Sequence, residues 1–94
     1  MAFVYILYSK SINRFYVGSC FDLDSRLREH NTKKYPNSYT AKTDDWEIFF
    51  SIDGLEYQQA RRIEKHIKNM KSRIYYFRLL NNQDVVEKLK LRFQ

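Results

Sequence analysis

Between Phe15 and His30 the chain reads FYVGSCFDLDSRLREH, and within it an arginine and a histidine recur at helical spacing with two leucines. On a helical wheel Leu23, Arg26, Leu27 and His30 share one face, whereas Asp24, Ser25, Arg28 and Glu29 occupy the others. A helix that merely covered a core would turn Arg26 and His30 to water, so their place beside leucines asks for a partner or a chemical task. Tyr5 and Tyr16 stand upstream in aromatic runs, and downstream Glu64 is the one acidic residue among the seven basic ones from Arg61 to Arg78. Tyrosine, arginine, histidine and a single carboxylate suit phosphodiester hydrolysis. The arginine grips a phosphate oxygen, a deprotonated tyrosine or His30 takes a proton from water, and Glu64 holds Mg²⁺ or Mn²⁺ whose octahedron is completed by phosphate and water. A free tyrosine titrates near pH ~10, so a tyrosine base requires positive charge close by. The plainer reading of Glu64 is an i,i+4 ion pair with Lys68.

Other chemistries lack their parts. No Walker loop, nucleophile elbow or dinucleotide fingerprint occurs, and two glycines could not build a phosphate cradle. His30 and His66 are far apart, and His66 falls on a different helical face from Glu64, so it reads as a solvated surface histidine rather than a ligand. Cys20 is alone, which leaves neither a disulfide framework nor a cysteine metal site and fits a reducing cytoplasm.

The elements that must position these groups follow from the hydrophobic pattern. Phe3 to Tyr8 is six consecutive apolar or aromatic residues, which predicts a central strand covered on both faces. A polar turn with Asn13 as its tight-turn residue leads into a second strand from Phe15 to Ser19, and the two pair as a hairpin. Gly18 permits a close approach of substrate or an unusual backbone angle at the handover to the next element. Asp22 caps a helix from Leu23 to Asn31. Thr32 to Asp45 has no apolar period and reads as a long surface loop, which makes Tyr39 and Thr40 candidates for a functional edge. Trp46 to Ile52 returns to strand character, broken by Asp53-Gly54 before a helix from Leu55 to Met70. That helix carries Ala60, Ile63, Ile67 and Met70 on its core stripe, Glu64 at the margin, and Arg61 and Lys65 farther out. Ser72 caps a third helix through Leu80, and Val85, Val86, Leu89 and Phe93 mark a fourth over Gln83 to Phe93.

Charge narrows the partner. Residues 1–53 carry seven Lys/Arg against seven Asp/Glu, whereas residues 54–94 carry ten against four, so the whole excess of +6 lies in the second half. A clustered field of that kind favours a polyanion, with nucleic acid ahead of an acidic membrane surface, and Arg61, Lys65, Lys68 and Lys71 are its phosphate-binding candidates. With 94 residues and eight Tyr and seven Phe for bulk, one domain spanning 1–94 is expected. No secretory pattern and no apolar run of membrane-spanning length occurs, so a cytoplasmic protein with no membrane association is expected.

In order and spacing, these residues resemble the GIY-YIG endonuclease family. Phe3-Val4-Tyr5, ten intervening residues, Tyr16-Val17-Gly18, then Arg26 and His30 on one helix, Tyr39-Thr40 in a loop and Glu64 in a basic helix match its signature over nearly three quarters of the chain. The segment GLEYQQARRIEKHIKNMK, from Gly54 to Lys71, is similar to the glutamate helix of small stand-alone members. The resemblance implies an α+β fold, a three-stranded antiparallel sheet flanked by helices, and divalent-metal-dependent cleavage of nucleic acid, DNA ahead of RNA. It implies that Tyr5 and Tyr16 are the paired active-site tyrosines, with Tyr16 ahead as general base. Arg26 would bind and polarise the scissile phosphate, and His30 would serve proton transfer or phosphate contact. Tyr39 would position substrate and Glu64 would hold the metal. Relatives usually gain specificity from appended domains, so a unit of this kind is expected to act through a protein partner, as a homodimer, or on nucleic-acid structure rather than sequence. Two positions depart from the pattern: Phe3 stands where the family name has glycine, and Ser19 follows Gly18 where some members have lysine. The alternative is a binding module that keeps the fold and the basic helix without efficient turnover.

Overall fold

Three apolar runs pair into one antiparallel sheet in the order β2-β1-β3. The structure, a computed structural model, describes residues 1–94. Strand β1 (Ala2–Ser9) is central, with β2 (Arg14–Cys20) and β3 (Glu47–Leu55) at the edges. Four α-helices complete the α+β fold: α1 (Leu23–Asn31), α2 (Tyr57–Met70), α3 (Arg73–Asn81) and α4 (Gln83–Arg92). None is long and apolar enough to cross a membrane.

The unbroken apolar run in β1 exists because its alternate residues feed two separate cores. Ala2, Val4 and Ile6 join Val17, Ile52, Leu55 and the Ala60, Ile63 and Ile67 stripe of α2. Tyr5 and Leu7 point to the opposite face, where they join Cys20 and Trp46 under Leu23 and Leu27 of α1. Helices α1 and α2 therefore lie on opposite faces of the sheet, and any site they share must straddle an edge. Asn13 takes the left-handed turn of the hairpin with φ of 52°. Its side-chain oxygen accepts from the Tyr8 hydroxyl at 2.9 Å and from Arg73 at 3.0 Å, which ties the hairpin to the start of α3.

Several boundaries differ from the sequence expectation, each for a local reason. Strand β3 does not stop at Asp53-Gly54. Gly54 adopts φ of +66° at a register shift, after which the strand resumes so that Leu55 pairs with Ala2 and is fully buried. Helix α2 accordingly begins at Tyr57, not Leu55, with Gln59 accepting from the Glu56 amide at 3.2 Å. Met70, expected on the core stripe, is 44% exposed; the stripe of α2 that joins the core ends at Ile67, one turn earlier. His66 is not a solvated surface residue: it is half-buried, 3.2 Å from the Tyr75 hydroxyl and packed against Phe93, and burial together with Arg92 lowers its pKa.

The segment from Thr32 to Asp45 is folded rather than an open loop. A 3₁₀ turn spans Tyr39–Lys42, and Thr40 and Thr43 are buried. The Trp46 indole N–H donates to the Thr40 carbonyl at 2.8 Å, and Asn31 clamps the Trp46 backbone through both its amide nitrogen (3.0 Å) and its oxygen (2.8 Å). Asp45 accepts from the hydroxyls of Ser9, Thr43 and Ser11 and from the Ser11 amide, which holds its carboxyl well below the usual range and pins this segment to the β1–β2 turn.

Candidate active site

On the α1 face of the sheet, Tyr5 stands directly opposite Gly18 in the β1–β2 ladder. A Cβ built on Gly18 would come within 2.4 Å of the Tyr5 hydroxyl oxygen and 2.6 Å of its Cζ, so the phenol ring lies across the glycine. This corrects the expected use of Gly18. The glycine is buried, its φ is not positive and β2 continues through Cys20, so the space it leaves houses Tyr5 rather than a substrate or a turn.

Helix α1 starts at Asp22, whose carboxylate accepts from the Ser25 amide at 3.1 Å, and that start sets the wheel angle that points Arg26 and His30 at Tyr5. The Tyr5 hydroxyl is 3.0 Å from His30 Nε2, and His30 Nδ1 is 2.6 Å from Thr40 Oγ1. The Arg26 guanidinium lies beside the same hydroxyl. Arginine can only donate, so a guanidinium beside the Tyr5 oxygen favours the arrangement in which that oxygen faces Arg26 with its lone pairs and sends its own proton to Nε2. His30 then carries its hydrogen on Nδ1 and donates to Thr40. This tautomer satisfies each member of the chain, and no buried side-chain polar atom in the protein lacks a partner. Burial, and next the adjacent Tyr16, push the Tyr5 phenol far above its ordinary value, while burial and the Arg26 charge push His30 down. Both are therefore neutral at physiological pH.

Tyr16 is only half-buried and forms the exposed side of this cluster. Its ring meets His30 edge-on at 5.2 Å and stacks on Tyr39 at 6.1 Å with an 18° interplanar angle. Lys42 sits 4.4 Å over the Tyr39 ring, and Lys68 of α2 lies 5.7 Å from the Tyr16 ring centroid.

Glu64 arrives from the other face. Because β2 is an edge strand, α2 can bring Glu64 around it: Oε1 accepts from Ser19 Oγ at 2.5 Å and Oε2 pairs with Lys68 Nζ at 2.7 Å. Lys68 thus links the carboxylate to Tyr16 across the sheet edge. Glu64 opens onto a groove of about 390 Å³ lined also by Arg61, Arg62, Lys65, Lys68 and Asn69. Lys71 stands apart. It is the left-handed C-cap of α2 and lines a second groove with Arg14 and Arg73.

Nowhere do three or more His, Cys, Asp or Glu gather as a metal cage. A lone carboxylate beside a phosphate-binding groove fits a hard divalent cation that keeps most of its water and takes substrate oxygens, and it does not fit a fully protein-ligated ion. The ammonium facing Glu64 Oε2 is on a side chain 46% exposed, free to turn toward solvent or a phosphate.

The sequence model of the GIY-YIG catalytic domain matches residues 1–84. The chain belongs to the GIY-YIG family. No curated protein and no solved structure matches it. GIY-YIG proteins are nucleases that generally use divalent metals, which makes nucleic acid the substrate class of the family. In this member Tyr5, Tyr16, Arg26, His30 and Tyr39 form one contiguous cluster, with Glu64 joined to it through Lys68 and the β2 edge. Two contacts escaped the sequence reading. Ser19, seen there only as a departure from lysine, holds Glu64, and Thr40, seen as part of a loop edge, holds His30. Asn31 and Trp46, which lock the 3₁₀ turn against α1, carried no recognisable signal.

Proposed function

We propose that residues 1–94 act as one nuclease domain, a divalent-metal-dependent endonuclease that hydrolyses phosphodiester bonds in DNA or structured nucleic acid. The observation that carries the reading is the meeting of a buried Tyr5–His30 pair, half-buried Arg26 and Tyr16, and the carboxylate of Glu64 at one open strand edge beside a cationic groove.

In this reading Arg26, half-buried beside the Tyr5 hydroxyl, receives the scissile phosphate and stabilises charge that develops on it. Arg26 Nε pairs with Glu29 Oε1 at 3.2 Å, which fixes the approach of the guanidinium. Tyr5 stays protonated and serves as the group that orients Arg26 and His30. The base is Tyr16, the more exposed of the two tyrosines, acting as its phenolate; a tyrosine base needs a cation nearby, and Lys68 lies 5.7 Å from this ring centroid. His30, neutral and 3.0 Å from the Tyr5 oxygen, is placed to take a proton passed along that side of the cluster. Tyr39, stacked on Tyr16, positions substrate, and Arg61 and Lys65 hold flanking phosphates, with Lys71 reaching the same strand farther along. Glu64 would hold Mg²⁺ or Mn²⁺, which when bound supplies Lewis acidity at the scissile phosphate. Lys68, released from Glu64, turns to the phosphate backbone.

The test is cleavage of single-stranded, duplex, flap and branched substrates with Mg²⁺ or Mn²⁺ and with chelator. Metal-dependent product that disappears in Arg26→Ala supports the reading. Tight, salt-sensitive binding with no product for any substrate or metal would replace it with a binding module of the same fold.

A further inference from the structure

Phe21 is 63% exposed at the end of β2, and its ring stacks on Tyr57 of α2 at 5.1 Å with a 12° interplanar angle. Two large aromatic rings held parallel at the surface are costly to leave in water, and none of the residues assigned above uses them. Their surroundings are asymmetric. Arg61 donates to the Tyr57 hydroxyl at 2.9 Å and belongs to the cationic Glu64 groove, whereas Asp22 and Asp24 line a separate groove together with Phe21. Tyr57, Arg61, Glu64, Lys65 and Lys68 recur at intervals of three, four and seven, so they form one stripe along α2.

We propose that Phe21, backed by Tyr57, is a stacking platform for an unpaired base of the nucleic-acid substrate, with the adjoining phosphates on Arg61 and Lys65. This rests on the nuclease reading and specifies which part of the substrate is recognised beside the cut. Distance fits the assignment. Phe21 is two residues past Ser19, about 7 Å along the strand, and Tyr57 is seven residues before Glu64, about 10 Å along the helix. Stacked duplex nucleotides are spaced about 3.4 Å apart and an unpaired strand reaches farther per nucleotide, so the platform lies within about three nucleotides of a phosphate at Glu64. A paired base within a duplex has both faces covered by its neighbours and cannot use the open face of Phe21. An unpaired base can, and its stacking carries no sequence preference. Asp22 and Asp24 repel a backbone that passes on their side, so the strand is held with phosphates toward Arg61 and bases toward Phe21.

The test measures affinity for a DNA duplex with a five-nucleotide single-stranded flap, and for the same flap made of abasic residues, in chelator so that no cleavage intervenes. Removing the bases leaves every phosphate in place. The proposal predicts that wild-type protein binds the abasic flap about 5- to 100-fold more weakly than the normal flap. Phe21→Ala should bind both flaps alike, and Phe21→Trp should restore the difference. Equal binding of the two flaps by wild type, or an unchanged difference in Phe21→Ala, overturns the platform. The readout needs neither metal nor turnover, so absence of metal-dependent cleavage would strike the nuclease reading and leave this result standing or falling by itself.

Discussion

Gly18→Ala is the smallest change that should disable the cluster without touching any group that does chemistry. The new methyl would lie 2.4 Å from the Tyr5 hydroxyl oxygen, and relief to an ordinary contact of 3.4 Å requires a relative shift of about 1 Å. Tyr5 cannot supply that cheaply: its side chain is 1% exposed, wedged among Leu7, Cys20 and Trp46, and bonded to His30 at 3.0 Å. A shift of about 1 Å in the phenol displaces an oxygen held at 3.0 Å from His30 and disturbs the geometry of that hydrogen bond. Overpacking of this kind costs about 1–3 kcal/mol in stability. A misplacement of about 1 Å in the reacting groups lowers a rate by about 100-fold. Urea denaturation and single-turnover cleavage on one preparation separate the two effects, and Tyr5→Phe in the same background should recover part of the lost stability by removing the atom nearest the methyl. Wild-type stability together with wild-type cleavage in Gly18→Ala would refute the claim that Tyr5 occupies the glycine's space for a catalytic purpose.

Other consequences follow from individual contacts. Thr40→Val removes the partner of His30 Nδ1 inside the protein and should cost about 1–3 kcal/mol in urea denaturation, with an altered His30 tautomer in nitrogen-detected NMR. Burial holds His30 and His66 below their ordinary value, so their unfolded-state pKa of about 6.5 exceeds the folded one and protonation favours unfolding. Stability should therefore be full above pH ~6.5 and decline as pH falls below it, and His30→Asn should remove part of that decline; stability that rises on acidification would contradict the burial of both rings. Lys65→Ala should weaken binding to any polynucleotide and reduce the slope of log K against log salt by about 0.7–0.9, while a slope unchanged by the substitution would take the Glu64 groove out of the phosphate path.

What could be read from the sequence was whatever is encoded locally. The apolar run in β1, the caps Asp22 and Ser72 and the wheel angle of Arg26 and His30 are properties of neighbouring residues, and the strands, α1 and the sheet order follow from them. Gly54 misled because a positive-φ glycine that bends a strand through a bulge has the same sequence signature as one that ends it. His66 misled because its partners, Tyr75 and Phe93, come from two later helices. The segment before β3 looked unstructured because what orders it is distant: Asp45 reaches back to Ser9 and Ser11, and Trp46 to Asn31. The same reason hid the support of the site itself. Ser19 meets Glu64 across 45 residues and the stacked pair Phe21 and Tyr57 is 36 apart, separations at which no periodicity survives.

The central claim is that Glu64, alone among the carboxylates, makes the cluster at the β2 edge a metal-dependent nuclease site. It is tested most directly by single-turnover cleavage of a substrate that the wild-type protein cuts in Mg²⁺ or Mn²⁺, repeated with Glu64→Ala. The Glu64 side chain is 16% exposed and its partners are a hydroxyl and a half-exposed ammonium, so the variant should keep the wild-type circular dichroism and lose about 1–3 kcal/mol in urea denaturation, which leaves it folded under assay conditions. The account predicts that such a folded Glu64→Ala protein still binds the substrate and gives no metal-dependent product; cleavage at the wild-type rate would contradict it.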